Sequence, residues 1–282
     1  MLKGLVMEGG AMRGLFTAGV NDVLMENGIT FDGAVGVSAG AAFGCNYKSH
    51  QIGRVHNYVT RFCNDDRFGS WKSWWQTGDY YGAKFSYETL PNELCFFDRE
   101  TFRNNPMKFY VVVTDINSGK PVYRRLDTAS DEDIAWMQAS ASMPLLSNIQ
   151  RLDGLELLDG GMSDSIPIHF MESLGYDRNV VILTQPKGFV KPPNPVLWLI
   201  RICYRKHQGL VRSMAVRHEM YNATTKYICE QEKTGKLFVI RPNAPLNISG
   251  INRDVREVER VYQLGRQEGA RRLNALKEFL KG

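Results

Sequence analysis

Phe31-Asp-Gly-Ala-Val-Gly-Val-Ser-Ala-Gly40 is the stretch from which the fold can be read. Ala34 to Val37 is a short apolar run of the kind that forms a buried strand. It ends in Gly36-Val37-Ser38-Ala39-Gly40, and the small residues Ala41, Ala42 and Gly44 that follow can open a helix. A Gly-x-Ser-x-Gly at a strand-to-helix junction sets the serine on a tight turn, with its hydroxyl outward at the end of a sheet. Side chains at Gly36 or Gly40 would crowd that turn. As a bare pattern the motif is weak, and its strand–turn–helix context gives it weight.

Working outward, Gly4 to Met7 reads as a first strand and Glu8-Gly-Gly-Ala-Met-Arg-Gly14 as a glycine loop. Leu15 to Asn27 carries apolar residues at helical spacing and stops at Asn27-Gly28. A strand–helix–strand–helix opening predicts an α/β fold, a parallel sheet covered by helices. Further on, Ile52–Phe62 reads as a helix and Phe109–Thr114 as the clearest buried strand, with Val122–Leu126 as a hairpin partner. Asp131–Ser140 reads as a helix with Ser130 or Thr128 as N-cap. Leu155–Leu158 is a short strand ending at Asp159-Gly160-Gly161, followed by a helix over Ile168–Leu174 and a strand over Val180–Thr184. Leu237–Ile240 is a last strand and Arg253–Leu280 a charged terminal helix.

Three segments have two readings each. Phe68 to Leu94 holds Trp71, Trp74, Trp75, Tyr80, Tyr81, Phe85 and Tyr87 without clear period. Packing over a core is the favoured reading, and the wall of an apolar substrate pocket is the other. Lys187 to Pro195, with three prolines, is a linker or surface excursion. Val196 to Tyr204 is apolar with Arg201, Arg205, Lys206 and Arg212 around it. As a helix it either packs on the domain, the favoured reading, or lies on a membrane surface through 196–212.

At 282 residues the chain has the length for a sizeable core, and no convincing break divides it. It is expected to form one domain over 1–282, with the motifs within about 5–184 and a helical and strand extension, 185–282, packed on them. The net charge of +5 is mild and spread along the chain, which argues against a nucleic-acid partner. Five cysteines without a CxxC pair argue against a disulfide framework and a zinc site, and fit a reducing compartment. With no signal-type leader and no spanning run, a cytoplasmic protein is expected, with contact at the inner membrane face as an option.

A serine hydroxyl needs a base to take its proton and donors to hold the oxyanion. Gly9-Gly10-Ala11-Met12-Arg13-Gly14 can provide backbone N–H groups at a helix N-terminus, and the Ala39 N–H adds another. Read as Gly9-x-Ala11-x-x-Gly14, the same loop is a loosened dinucleotide fingerprint. That reading lacks its acid, because the second strand ends in Val37-Ser38. For the base, Ser38, Asp159 and His207 or His218 give one assembly, although both histidines lie in basic helical surroundings. Asp159 alone, at a strand end before two glycines, gives another. A plain Asp-Gly turn is the third reading of that residue.

Gly9-Gly10-x-x-Arg13-Gly14, Gly36-x-Ser38-x-Gly40 and Asp159-Gly160-Gly161, in that order, resemble the three motifs of the patatin-like phospholipases. Thr114-Asp115 followed by Ser118-Gly-Lys-Pro121, and Ala139-Ser140-Ala-Ser-Met-Pro144, are similar to blocks of the same family. Asp164-Ser-Ile-Pro167 departs from its usual Asn-x-Pro continuation. The resemblance covers about Leu5 to Thr184. It implies a three-layer α/β/α sandwich with a mostly parallel central sheet, Ser38 as nucleophile, Asp159 as base, and an oxyanion hole from Gly9, Gly10 and Ala11 near Arg13. It implies hydrolysis of acyl lipid or lysolipid esters through an acyl-serine, with no metal or cofactor. The alternative is a catalytically silent relative that binds lipid or a partner protein.

Overall fold

The computed structural model describes residues 1–281. Its first strand, β1 (Leu2–Met7), alternates as a strand covered on both faces must: Leu5 and Met7 point into one core, Val6 into the other. After a glycine loop come α1 (Gly14–Glu26), β2 (Gly33–Val37) and α2 (Ala39–Lys48). The chain continues through α3 (Arg54–Phe62), α4 (Trp71–Thr77), a π-helical segment (Phe85–Leu94) and α5 (Arg99–Asn104). Then follow β3 (Lys108–Asp115), β4 (Pro121–Leu126), α6 (Asp131–Ser140), β5 (Gln150–Leu152) and β6 (Leu155–Asp159). The remainder is α7 (Ile168–Ser173), β7 (Tyr176–Ile182), α8 (Leu197–Cys203), α9 (Gln208–Lys233), β8 (Leu237–Ile240) and α10 (Val255–Lys281).

The eight strands form one mixed sheet in the order β5–β6–β3–β2–β1–β7–β8, with β4 also on β3. From β3 to β8 neighbouring strands run parallel, while β4, β5 and β6 are antiparallel additions. One face buries Leu5, Met7, Val111 and Ile182 under α1, α2, α3, α6 and α10. The other buries Val6, Val35, Val112 and Val181 under α7 and α9. This is the three-layer α/β/α arrangement. Helices α1 and α10 approach so closely that a Cβ on Gly19 would meet the Tyr262 carbonyl oxygen at 2.2 Å, and one on Gly265 the Phe16 carbonyl oxygen at 2.1 Å. The Tyr262 hydroxyl donates to Asp22 at 2.6 Å across the same contact.

Several local expectations resolve. Ser130 caps α6, accepting from the Asp133 amide, while Thr128 instead donates its hydroxyl to the Asp133 carboxylate. Phe68–Leu94 divides into α4 and the π-helical segment: Tyr80 and Phe85 are buried, whereas Trp71 and Trp75 are exposed. Helix α8 packs through Ile200, yet Trp198 and Ile202 are 63% and 62% exposed, so the packed reading holds for one face only. The 187–195 segment is the expected surface excursion, pinned at one point. Lys191 is clipped at both backbone groups by the Asn222 side chain, amide at 2.8 Å and carbonyl at 3.0 Å, and is held on α9. Helix α9 and strand β5 went unread in the sequence. The buried side of α9 mixes Leu210 and Met214 with Gly209, Tyr221 and Thr224, so no clean apolar stripe marks it.

Candidate active site

Strand β2 is five residues of small and branched side chains, all buried, and it ends at a turn no ordinary residue favours. Ser38 sits at φ 55°, ψ −121°, outside the regions open to most side chains, a strain of about 1–3 kcal/mol that surrounding structure must hold. The hold is visible. A Cβ on Gly36 would meet the Gly40 carbonyl oxygen at 2.3 Å, and one on Gly40 the Met7 carbonyl oxygen at 2.4 Å, so strand, turn and helix close on one another only through hydrogens. A Cβ on Gly14 would meet the Ala39 Cβ at 2.7 Å, which brings the start of α1 against the start of α2. The Ser38 amide donates to the Ser140 hydroxyl at 3.0 Å, and Ser140 donates to the Val112 carbonyl at 2.6 Å. That serine bolts the turn to β3.

The register of β3 brings the acid to the serine. Val112 pairs with Val37 of β2, and the next residue, Val113, pairs with Asp159 of β6. Because β4 holds the other edge of β3 over Phe109–Thr114, β6 continues along the edge where β2 stops. Asp159 is fixed from several sides. Its amide donates to the Ser142 carbonyl at 2.8 Å, its carbonyl accepts from the Thr114 hydroxyl at 2.9 Å, and its Oδ1 accepts from the Gly161 amide at 2.7 Å. Gly160 lies flat on β3, where a Cβ would meet the Val112 carbonyl oxygen at 2.1 Å. Burial pushes the Asp159 carboxyl above the usual carboxylate range, while the Ser38 hydroxyl, the Gly161 amide and the Arg217 guanidinium pull it back down.

The glycine loop lies against the serine: a Cβ on Gly9 would come within 3.1 Å of the Ser38 Cβ and 2.9 Å of the Val37 carbonyl oxygen. Ala11, at φ 47°, turns the chain into a single 3-10 turn ahead of α1. Among the described residues, the amides of Gly9, Gly10, Ala11 and Ala39 donate to no other group. Free amides beside a buried hydroxyl are the kind of donor that can receive an anion.

Ser38 stands where two cavities meet. One, about 140 Å³, is apolar and lined by Phe43, Tyr58, Phe68, Tyr87, Leu90 and Met137. The aromatic segment thus both packs on the core and walls a pocket. The other, about 470 Å³, is mixed: Leu145, Met162, Phe189, Ile200 and Met214 line much of it, and Glu8, Arg13, Asp159, Lys191, Arg217 and Tyr221 give it a polar wall. Ala11, Ser38 and Met143 border both. His218 also borders the polar cavity, but its nearest carboxylate is its neighbour Glu219 at 3.8 Å, and it bonds neither Ser38 nor Asp159. His207 lies elsewhere, against Asn117 and Glu156. Neither histidine completes a triad.

Four residues of this site escaped the sequence reading. Ser140 stood within a quoted block without a role. Glu8 accepts from the Thr184 amide at 2.6 Å and the Tyr221 hydroxyl at 2.8 Å. Arg217 donates its Nε to the Gly161 carbonyl at 2.6 Å, and Lys191 places Nζ over the Tyr221 ring at 4.4 Å. Only Ser140 and Glu8 carried a signal, each lying beside a motif.

The family model of patatin-like phospholipases matches residues 5–171, and a model for a domain of unknown function, DUF6363, matches 207–281. An uncharacterized Escherichia coli protein, YjjU, is 26% identical over 93% of this chain and 74% of its own length. A lysophospholipase NTE1 of Pyricularia oryzae is 28% identical over 62% of this chain, which spans only 11% of that enzyme. VipD of Legionella pneumophila aligns in structure over 97% of this chain and 67% of its own, at 14% identity and a TM-score of 0.49. No helix among the described residues is long and apolar enough to cross a membrane. With its family model covering more than half of the sequence, the chain belongs to the patatin-like phospholipase family.

Proposed function

We propose that this protein is a serine acyl-ester hydrolase of single-chain lipids, with Ser38 as nucleophile and Asp159 as its base. The observation that carries the reading is the register of β3, which sets Val37 and Asp159 on consecutive residues of one strand. Asp159 takes the proton of the Ser38 hydroxyl as Oγ attacks the ester carbonyl. The oxyanion develops toward the amides of Gly9, Gly10, Ala11 and Ala39, with Arg13 adding positive potential. Collapse breaks the acyl C–O bond, the alcohol leaves with the proton held by Asp159, and an acyl-serine remains. Water then attacks that ester, giving its proton to Asp159, and the Ser38 oxygen recovers it as the fatty acid departs. Neither metal nor cofactor has a part in this sequence. The apolar cavity takes the acyl chain, and the NTE1 enzymes, named lysophospholipases, are relatives that fit a one-chain substrate.

The extension after residue 184 belongs to the same folding unit in this reading, because β8 continues the sheet and α10 covers α1. The protein acts in a reducing compartment, where its five free cysteines persist. It meets its lipid through the outward side of α8, where Trp198 and Ile202 stand among Arg201, Arg205 and Lys206. A fluorophosphonate probe tests the chemistry. Wild type is expected to label, Ser38→Ala not at all, and Asp159→Asn far more slowly. Labelling that survives Ser38→Ala, or a wild type inert to the probe and to p-nitrophenyl butyrate, overturns the hydrolase reading in favour of a silent lipid-binding relative.

A further inference from the structure

The polar cavity holds more positive charge than catalysis by Ser38 and Asp159 uses. Arg13, Lys191 and Arg217 converge on it from the glycine loop, the 187–195 segment and α9. Among the described residues, none of the three lies within 4 Å of a carboxylate oxygen. The Arg13 Nε is buried with no hydrogen-bond partner, and so is the Nδ1 of His218 on the same wall. Glu8, a carboxylate on that wall besides Asp159, is already engaged by the Thr184 amide and the Tyr221 hydroxyl. Burial, then repulsion from Arg217, lowers Lys191 to about 8 against the pull of Glu8, and burial brings Arg217 below its ordinary value although Asp159 draws it back up. The three cations outnumber the two carboxylates of that wall, Glu8 and Asp159, and an anion joining them would offset the cost of burying the excess charge.

We infer that this cavity is a subsite for an anionic phosphate head group, built by Arg13, Lys191 and Arg217, and that it selects anionic over zwitterionic single-chain phospholipids. The inference rests on the hydrolase reading for its orientation. With the acyl chain in the apolar cavity and the ester at Ser38, the leaving alcohol falls on the polar side. One glycerol unit then separates the ester from the phosphate. The same wall disfavours a choline or ethanolamine. The face of Tyr221 that would receive a quaternary ammonium already carries Lys191 at 4.4 Å. Lys191 and Arg217 both lie outside the region matched by the family model, residues 5–171. Two of the three cations thus come from the part of the chain that the family motifs do not reach.

The test compares octanoyl lysophosphatidylglycerol with octanoyl lysophosphatidylcholine as monomers, below the concentration at which either forms micelles, so that charge on a lipid surface does not enter. Wild type is expected to show a kcat/KM ratio favouring the anionic lipid about tenfold or more, the scale of one or two charge-assisted hydrogen bonds. In Lys191→Met the ratio falls toward one, and in Lys191→Arg it is kept. A ratio near one in wild type, or a preference that survives Lys191→Met, overturns the subsite. Calorimetric titration with sn-glycerol 3-phosphate and with inorganic phosphate separates a head group from a free ion. Weakened binding of the former in Lys191→Met supports the subsite, whereas equal affinity for both in wild type overturns the assignment to a head group. The same titration reads the subsite even if no ester is cleaved, so failure of the hydrolase reading and failure of this one are distinguishable.

Discussion

The two cavities that meet at Ser38 differ in the charge they carry and in part of their origin. The apolar one is walled by residues between Ala11 and Ser147, among them the rings of Phe68, Tyr81 and Tyr87 from the Phe68–Leu94 segment. The polar one closes the catalytic edge with Lys191, Arg217 and Tyr221, brought from the 187–195 segment and from α9. An aromatic wall accepts any chain that fits and discriminates by length, at about 1–3 kcal/mol per methylene where the pocket ends. A cationic wall discriminates by charge, because it must be neutralised to be stable. On the proposed reading the contrast divides the labour of the site, one side measuring the acyl chain and the other the alcohol it is attached to.

The contrast fails first if the serine between the cavities is not the reacting atom. Ser38→Ala is expected to lower ester hydrolysis by about 10⁴-fold or more, the scale of removing a nucleophile. Asp159→Asn, which keeps the shape and removes the base, is expected to cost about 10²–10⁴-fold. Steady-state turnover of p-nitrophenyl butyrate reads both. Retention of more than a tenth of the activity in Ser38→Ala would move the chemistry away from the junction.

How far each side can be read from the sequence follows from the same difference. Ser38, Gly9, Gly10 and Asp159 stand in short runs whose residue types are imposed locally, by a strained turn, by close backbone contact and by a strand end. Such constraints leave a mark within five residues. Every strand but β5, and most helices, are legible for the same reason, since alternation in β1 and the Ser130 cap of α6 are local facts. Arg217 and Lys191 answer to nothing nearby in the chain. Arg217 sits at its position to reach Gly161, fifty-six residues away, and Lys191 is fixed by Asn222. A basic residue on a helix reads as solvated until the tertiary structure turns it inward. The length of α9 was lost in the same way, through the polar residues on its buried side.

The aromatic side is sharpened by filling it. Ala42, on α2, lines the apolar cavity, and Ala42→Phe is expected to lower kcat/KM for a dodecanoate ester about ten- to a hundredfold relative to butyrate. A set of p-nitrophenyl esters of graded chain length reads this, and parallel profiles for the variant and wild type would show that the chain lies elsewhere. Approach to a lipid surface comes next in size. Trp198→Asp with Ile202→Asp is expected to weaken binding to anionic vesicles about tenfold, through loss of exposed apolar area. Sedimentation with phosphatidylglycerol vesicles checks this, and unchanged binding would remove α8 from the contact.

The smallest expected effect is the most informative about how the two sides are joined. Arg217 belongs to the cationic wall, yet it also braces the Gly161 carbonyl and holds down the proton affinity of Asp159. Asp159 must be ionised to accept the Ser38 proton, and burial has already moved its titration above the usual carboxylate range. Activity is therefore lost as pH falls through that raised value. Removing the cation in Arg217→Met raises it further, so the acidic limb of kcat/KM for an uncharged ester moves to higher pH, and the loss is greater in mild acid than at alkaline pH. If Arg217 served only as a brace, activity would drop by one factor at every pH and the limb would stay in place. Arg217→Lys separates the two roles, since it keeps the charge without the fixed guanidinium bond. Its limb is expected near that of wild type even where its rate is lower. A limb displaced as far as in Arg217→Met would uncouple the head-group wall from the base.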